Sequence, residues 1–448
     1  MRQADLQHED DAGGEASGGD GVRMEVISAP STSGTPQGWH QVGLLEIAAK
    51  RANATVGGPF GSDLVAKDYV HSGVPVIRGQ NMGRGFVSGE FAFVTPAKAK
   101  TLQANLAKPL DLVFTQRGTL GQVALVPRAP FDEYLISQSQ MKLTVDAATA
   151  DPVYIYQYFS SEFGQRQILD SAIQTGVPHT NLGILRSYKL LMPQLVKDQR
   201  AIAEALTDAD ALIDSLEQLL TKKRQIKQGA MQELLTGKRR LPGFSQPWRN
   251  VGLDQLGSFL KGAGIRRDEA SSGDLPCVRY GEIYTVHSDS IRTFQSWISP
   301  AVASTATKLQ RGDLLFAGSG ETKEEIGKCV AVLDDFVAFA GGDIVILRPN
   351  SEVNAMFMGY LLNTPVVVRQ KASRGQGDAV VHISAAALRQ VSVDLPEPSE
   401  QTAIAQVLSD IDTDLAALES RLTKARALKQ AMAQALLIGR IRLVKPTT

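Results

Sequence analysis

The segment QRAIAEALTDADALIDSLEQLLTKKRQIKQGAMQELLTGKRRL, Gln199 to Leu241, returns 202 residues later as QTAIAQVLSDIDTDLAALESRLTKARALKQAMAQALLIGRIRL, Gln401 to Leu443. The copies align without a gap and share 21 of 43 positions, so the chain is built from a duplicated unit. Both copies space apolar residues at alternating steps of four and three, which is a heptad seam. In the first the seam runs Ile202, Leu206, Ala209, Ile213, Leu216, Leu220, Lys223, Lys227, Ala230 and Leu234. In the second it runs Ile404, Leu408, Ile411, Leu415, Leu418, Leu422, Ala425, Lys429, Met432 and Leu436. Pro193 and Pro396 precede the helices, Ser399 reads as an N-cap, and Gly237 and Gly439 end them. Each is about 38 residues long, roughly 57 Å at about 1.5 Å per residue. Two such seams in one chain are expected to face each other as an antiparallel coiled coil. The competing picture is two amphipathic helices, each packed on its own domain.

Ahead of each helix lies a globular segment of about 150 residues, and these repeat more faintly. Trp39, Val42 and Gly43 correspond to Trp248, Val251 and Gly252. VPVIRG (Val74 to Gly79) corresponds to LPCVRY (Leu275 to Tyr280), and DLVFTQRG (Asp111 to Gly118) to DLLFAGSG (Asp313 to Gly320). His179 and His382 hold equivalent places. Short β-rich runs alternate with helical patterns, which predicts an α+β fold for each segment.

At 448 residues, 43% hydrophobic and 21% charged, the chain exceeds one ordinary core and reads as a multidomain globular protein. No apolar run approaches the roughly 18 residues of a membrane span, and no signal-type leader opens the chain, so a cytoplasmic location is expected. Cys277 and Cys329 form no motif, and the six histidines are scattered, so no metal site is expected. The net charge of zero hides a split. Residues 1–37 carry two basic and seven acidic side chains among Gly and Ser, a composition that predicts disorder, and the rest of the chain stands at +5.

Two stretches raise the question of methyl transfer. Phe316-Ala317-Gly318-Ser319-Gly320 looks like a glycine cradle for S-adenosylmethionine, and Asp151-Pro152-Val153-Tyr154 is one residue from the Asp-Pro-Pro-Tyr of amino-methyltransferases. The repeat argues against both. The counterpart of the first is Phe114-Thr115-Gln116-Arg117-Gly118, which keeps little of it. The counterpart of the second is the start of an amphipathic helix. A cradle also needs a helix opening at its glycines, whereas a polar loop and another strand follow here.

Leu395-Pro396, Glu400-Gln401-Thr402-Ala403-Ile404-Ala405 and Leu408-Ser409-Asp410-Ile411-Asp412, with SGETKEEIGK (Ser319 to Lys328), AGGDIVILRP (Ala340 to Pro349) and GQGDAVVHIS (Gly375 to Ser384), closely resemble the specificity subunit of a Type I restriction–modification system. The likeness runs from about Trp39 to Leu443, and the acidic extension is foreign to the family pattern. The resemblance implies a non-catalytic reader of double-stranded DNA. Residues 38–193 and 248–396 would be target-recognition domains, each reading half of a bipartite, asymmetric site. Residues 194–237 and 397–438 would be spacer helices that dock methyltransferase subunits and, through them, restriction and translocation subunits. A linker (238–247), the acidic tail (1–37) and a C-terminal tail (439–448) complete this division. No cofactor is expected on this chain, with S-adenosylmethionine and ATP/Mg held by the partner subunits. A stand-alone DNA amino-methyltransferase and a coiled-coil protein adaptor are the alternatives.

Base reading needs Arg or Lys toward guanine, Asn or Gln toward adenine, and Glu or Asp toward cytosine, carried on adaptable loops. In the first domain the candidates are Arg78, Gln80, Asn81, Arg84, Arg117, Thr119, Gln138, Gln140, His179 and Asn181. In the second they are Arg279, Tyr280, Ser319, Glu321, Thr322, Lys323, Arg374, Gln376 and His382, with Asp378 in the same loop. A basic face of Lys222, Lys223, Arg224 and Lys227, matched by Lys424, Arg426 and Lys429, reads first as solvated and otherwise as a DNA-backbone or acidic-partner surface. Lys223 and Lys227 fall on the seam, where their stems are expected to pack while the amines reach water.

Overall fold

The computed structural model describes residues 23–26, 35–174, 176–377 and 380–444. The chain divides into two compact units, Met1–Ser215 with Leu422–Thr448, and Leu216–Arg421.

In the first unit a four-stranded antiparallel sheet orders its strands Thr55–Gly57, Gln140–Leu143, Leu112–Thr115, Val123–Leu125. A five-stranded sheet orders Tyr69–Val70, Ala92–Val94, Val74–Ile77, Tyr134–Ile136, Leu106–Ala107, with Val74–Ile77 and Tyr134–Ile136 parallel. Trp39–Gly43 pairs with Lys189–Pro193, closing the domain's start on its end. The second unit repeats this plan. Its first sheet runs Gly257–Lys261, Ile344–Pro349, Leu314–Ala317, Cys329–Ala331. Its second runs Ser296–Ile298, Leu275–Val278, Phe339–Ala340, Thr307–Lys308, again with one parallel pair, Leu275–Val278 and Phe339–Ala340. Arg249–Gly252 pairs with Ser392–Leu395. The α+β expectation and the duplicated plan both hold, with Tyr69–Val70 an extra edge strand in the first unit.

Two helices of 39 residues, Val196–Leu234 and Pro398–Leu436, carry the repeated segments. In the first unit the core under the sheet takes in Ile202, Ala203 and Leu206 from the start of one helix and Leu436 and Leu437 from the end of the other. The second unit's core takes in Ile404, Ala405 and Leu408 with Leu234 and Leu235. Start meets end, so the helices run antiparallel. Ile202, Leu206, Ile213, Leu216, Leu220, Ile404, Leu408, Leu415, Leu418, Leu422 and Leu436 are all buried, whereas Ile411 is only half-buried. Pro398 opens the second helix, so Ser399 lies inside its first turn instead of capping it.

Both seam lysines carry their amines onto acids, Lys227 in a largely buried site and Lys223 in a more exposed one. Lys227 Nζ lies 2.7 Å from Asp412 and 3.5 Å from Asp289, and Lys223 Nζ lies 2.7 Å from Asp414. In the first unit Lys429 Nζ reaches Asp210 at 2.5 Å. Arg224 pairs with Glu419 at 2.7 Å. Much of the expected basic face is therefore matched by acids of the facing helix.

Each domain is also stitched to the helix that follows it. Buried Gln199 accepts the Asp151 N–H at 2.8 Å and donates to Pro193 O at 2.9 Å. Buried Gln401 accepts the Asn354 N–H at 2.9 Å and donates to Pro396 O at 2.9 Å. Gln199→Ala or Gln401→Ala strands one buried donor and one buried acceptor. Each substitution is expected to cost about 1–3 kcal/mol, measured by chemical denaturation.

The acidic tail expected over residues 1–37 lies largely outside the described residues. Within it, Arg23–Val26 forms a strand antiparallel to Ile441–Val444, where composition predicts no structure. The apolar alternation of Ile441 and Leu443 supplies the template strand.

Candidate nucleic-acid interface

In the first domain several loops leave neighbouring strand ends and meet. The backbone N–H groups of Gln116 and Arg117 donate to Ser139 O at 2.7 and 3.4 Å, and Thr180 N–H reaches Gln116 O at 3.0 Å. Arg117 and His179 form a backbone bridge. Ser137 N–H donates to Ile77 O at 3.0 Å, which brings in the stretch from Arg78. A further loop, Gly57–Gly61, joins through Gly58 N–H to Gln140 O at 2.8 Å, and sequence patterns did not single it out.

The second domain assembles the same cluster. Ser319 and Gly320 pair with His382 and Val381, and Gln376 bridges to His382. Gly341 N–H donates to Val278 O at 2.9 Å, drawing in the stretch from Arg279. Tyr284 donates its hydroxyl to Ser319 O at 3.1 Å, and burial pushes that phenol up to about 12, so it keeps its proton at neutral pH. The Arg117–His179 bridge and the Ser319–His382 pair are equivalent contacts of the two copies.

Within each cluster the side chains divide by what they touch. Asn81 is buried; its amide donates to Ser88 O and Glu90 O, both at 2.9 Å, and its oxygen accepts the Arg78 N–H at 3.1 Å. Gln140 is fully buried against Ser137. Asn181 caps the helix Leu182–Ser187, accepting the Ile184 N–H at 2.9 Å. Arg279 holds Glu282 at 3.3 Å, Ser319 Oγ lies 2.9 Å from His382 Nδ1, and Arg374 donates to Gln370 O at 2.7 Å and Gln390 O at 3.1 Å. These six candidates are engaged inside the fold.

The remainder stand further out. Gln80, Arg84, Arg117, Thr119 and Gln138 are exposed, as are Tyr280, Glu321, Thr322, Lys323, Gln376 and His382, while Arg78 and His179 are half-buried. Some are tethered: Gln80 to Glu90 O at 3.1 Å, Arg84 to Asp214 at 3.4 Å, Gln138 to Gly61 O at 2.7 Å, and Thr322 to Glu325 at 3.3 Å. Asp378 lies outside the described residues.

The two methyl-transfer look-alikes have local explanations. Asp151 is the N-cap of the helix Pro152–Ser160, its carboxylate accepting the N–H groups of Val153 and Tyr154 at 3.0 Å each. Asn354 caps Ala355–Leu361 in the same way. Gly318 donates its N–H to Asp343 O at 2.7 Å, and a Cβ there would sit 2.7 Å from that same oxygen. The glycine serves a backbone-to-backbone approach. Among the described residues, no three His, Cys, Asp or Glu side chains gather as metal ligands would.

A second duplicated feature lines the helices. In the first unit a groove of about 300 Å³ is bounded by Arg426, Lys429, Gln430, Ala433 and Gln434 on the helix side and by Ser160, Ser161, Glu162 and Phe163 on the domain side. The second unit has a groove of about 550 Å³ in the equivalent place, with Arg224, Lys227, Gln228, Met231 and Gln232 facing Asn363, Thr364, Pro365 and Val366. Four helix-side positions are identical between copies, whereas the domain side differs. Ile226 and Leu428, also equivalent, are exposed on the same helices.

Comparison with known proteins agrees with this architecture. Residues 66–228 match the family described as Type I restriction modification DNA specificity domain. The MjaVIII specificity subunit of Methanocaldococcus jannaschii is 21% identical over 331 residues, covering 69% of this chain and 75% of its own length. The crystal structure of a Type I restriction–modification S subunit from M. genitalium superposes with a TM-score of 0.58 at 13% identity, covering 91% of this chain and 98% of that one. A chain solved in work on assembly and conformational transition of the type I R-M system gives 0.52 at 18% identity, covering 91% and 100%. The two structures share this fold.

Proposed function

The chain belongs to the specificity subunits of type I restriction–modification systems, and we propose that it reads a split, asymmetric DNA target, one half with each globular domain. It is a non-catalytic, DNA-recognising component of a larger complex. The observation that carries the split reading is the loop cluster built twice on one strand plan, with different side chains at equivalent places. One scaffold filled in two ways suits two unlike half-sites.

Roles follow from exposure. Arg117, Thr119 and His179 would face the bases of the first half-site, with Arg117 suited to a bidentate contact on guanine. Glu321, Thr322, Lys323, Gln376 and His382 would face the second, Glu321 suited to cytosine. Gln80, Arg84, Gln138 and Tyr280 would position the backbone. Asn81, Gln140, Asn181, Arg279, Ser319 and Arg374 would hold the loops in shape. The paired grooves beside Arg224 and Arg426 would each take the same methyltransferase subunit, because the helix side of both is the same surface. Restriction and translocation subunits would join through that complex. S-adenosylmethionine and ATP/Mg would belong to the partners. Among the described residues no helix is long and apolar enough to cross a membrane, and the cytoplasm is the proposed place of action.

A genome-wide map of methylated bases, with and without this gene, tests the reading. One split motif should vanish on deletion. In the assembled complex Arg117→Ala should weaken discrimination in the first half alone and Lys323→Ala in the second alone, each by about 1–3 kcal/mol. Loss of a compact, uninterrupted motif would return the methyltransferase alternative.

A further inference from the structure

Phe60 is 89% exposed, more than any other large apolar side chain among the described residues. Single exposed apolar residues are ordinary on protein surfaces. This one differs in how firmly the loop beneath it is fastened. Gly57 O accepts from Asn105 Nδ2 at 2.6 Å, and Gly58 N–H donates to Gln140 O at 2.8 Å. A Cβ on Gly58 would sit 2.0 Å from Ser137 O, so only glycine passes there. Pro59 is buried. Beyond the ring, Gln138 Nε2 donates to Gly61 O at 2.7 Å and Leu64 O at 3.0 Å, and Leu64 is buried in a core cluster. The backbone is held on both sides, and the Phe60 ring stands exposed between these ties. The fold thus holds an aromatic ring out from the same cluster that carries Arg117 and His179.

We propose that Phe60 is an apolar wedge that presses against a base step in the half-site read by the first domain. This rests on the reading of the loop cluster as the DNA face. Exposed Phe and Leu side chains on DNA-binding surfaces enter a groove and unstack neighbouring bases, and a pinned loop loses little freedom when it does so. The equivalent loop position of the second domain carries no ring. Gly262 makes the matching bond to Ile344 O at 2.8 Å, and Gly264 follows two residues on, where the first domain has Phe60. Base-step distortion is thereby assigned to one half-site only.

The full chain, assembled with its methyltransferase subunits, is titrated with duplexes of the mapped target carrying 2-aminopurine at successive positions. Wild type should bind the target in preference to a scrambled duplex and raise the fluorescence at one step of the first half-site. Phe60→Ala should bind the target at least tenfold more weakly, lose the fluorescence rise and melt like wild type; Phe60→Leu should restore most of both signals. Target binding and fluorescence by Phe60→Ala equal to wild type would overturn the wedge while leaving the recognition reading intact. So would a loss that Leu does not restore, or a fluorescence change in the second half-site. A wild-type complex that cannot tell target from scrambled duplex would instead sink the recognition reading, and Phe60 with it.

Discussion

Seven residues inserted between Ser215 and Leu216, with seven more between Arg421 and Leu422, should give a chain that reads the same two half-sites across a longer gap. Both insertions fall where the chain passes between its compact units. A heptad adds two helical turns and preserves the seam's phase. At about 1.5 Å per residue it adds roughly 10.5 Å, close to three base pairs at about 3.4 Å each. The loop clusters are untouched, so the bases read in each half should stay the same. The original target should be bound at least about a hundredfold more weakly, because most bases of one half would be out of place at about 1–3 kcal/mol each. Methylation mapping in a host carrying the altered gene reads this directly. Retention of the original gap would remove the helices from any part in spacing. A change of base within either half would show that the insertion had disturbed a recognition domain. Inserting in one helix alone should abolish modification, since helices that differ by seven residues could not keep both the Lys227–Asp412 and the Lys429–Asp210 pairs in one continuous register.

The long helices and the duplicated strand plan were legible because both depend on patterns local in sequence. A heptad seam needs only spacing, and the correspondence of Asp111–Gly118 with Asp313–Gly320 needs only an alignment of the chain with itself. The seam pairs could have been found by the same route: Asp210 and Asp412 are identical between copies, as are Lys227 and Lys429. Side-chain partners on the loops were not legible. Whether Asn81 reads a base or ties down Ser88 and Glu90 depends on how the chain returns seven and nine residues later. Gln140 is buried because Ile77 passes beside it, a contact across the domain. Phe60 escaped notice because one apolar residue among glycines has no periodicity. Only its exposure on a pinned loop distinguishes it.

Lys227→Met should destabilise the second unit by about 3 kcal/mol, the top of the range expected for the glutamine substitutions above. Lys227 Nζ stands 2.7 Å from Asp412, 3.5 Å from Asp289 and 5.2 Å from the centre of the Tyr360 ring, whose hydroxyl donates to Asp412 at 2.6 Å. The side chains of Lys227, Asp412 and Asp289 are only 18%, 15% and 11% exposed, so water screens them weakly. Methionine keeps the stem's packing but leaves two carboxylates near one another without their cation. Removing one partner of a buried pair typically costs about 3–5 kcal/mol, and the residual exposure here favours the lower figure. Lys429→Met should cost less, since among the described residues Asp210 is the one carboxylate within 4.0 Å of its ammonium, against two for Lys227. Adding Asp412→Leu to Lys227→Met should recover part of the loss by removing one stranded charge. Denaturation of wild type and these three variants separates the contributions. Lys227→Met as stable as wild type would mean that the seam is held by its leucines alone. Recovery by Asp412→Leu would instead place the cost on the unpaired carboxylate, and would mark the duplicated Lys–Asp pair as the contact that penalises any other register of the two helices.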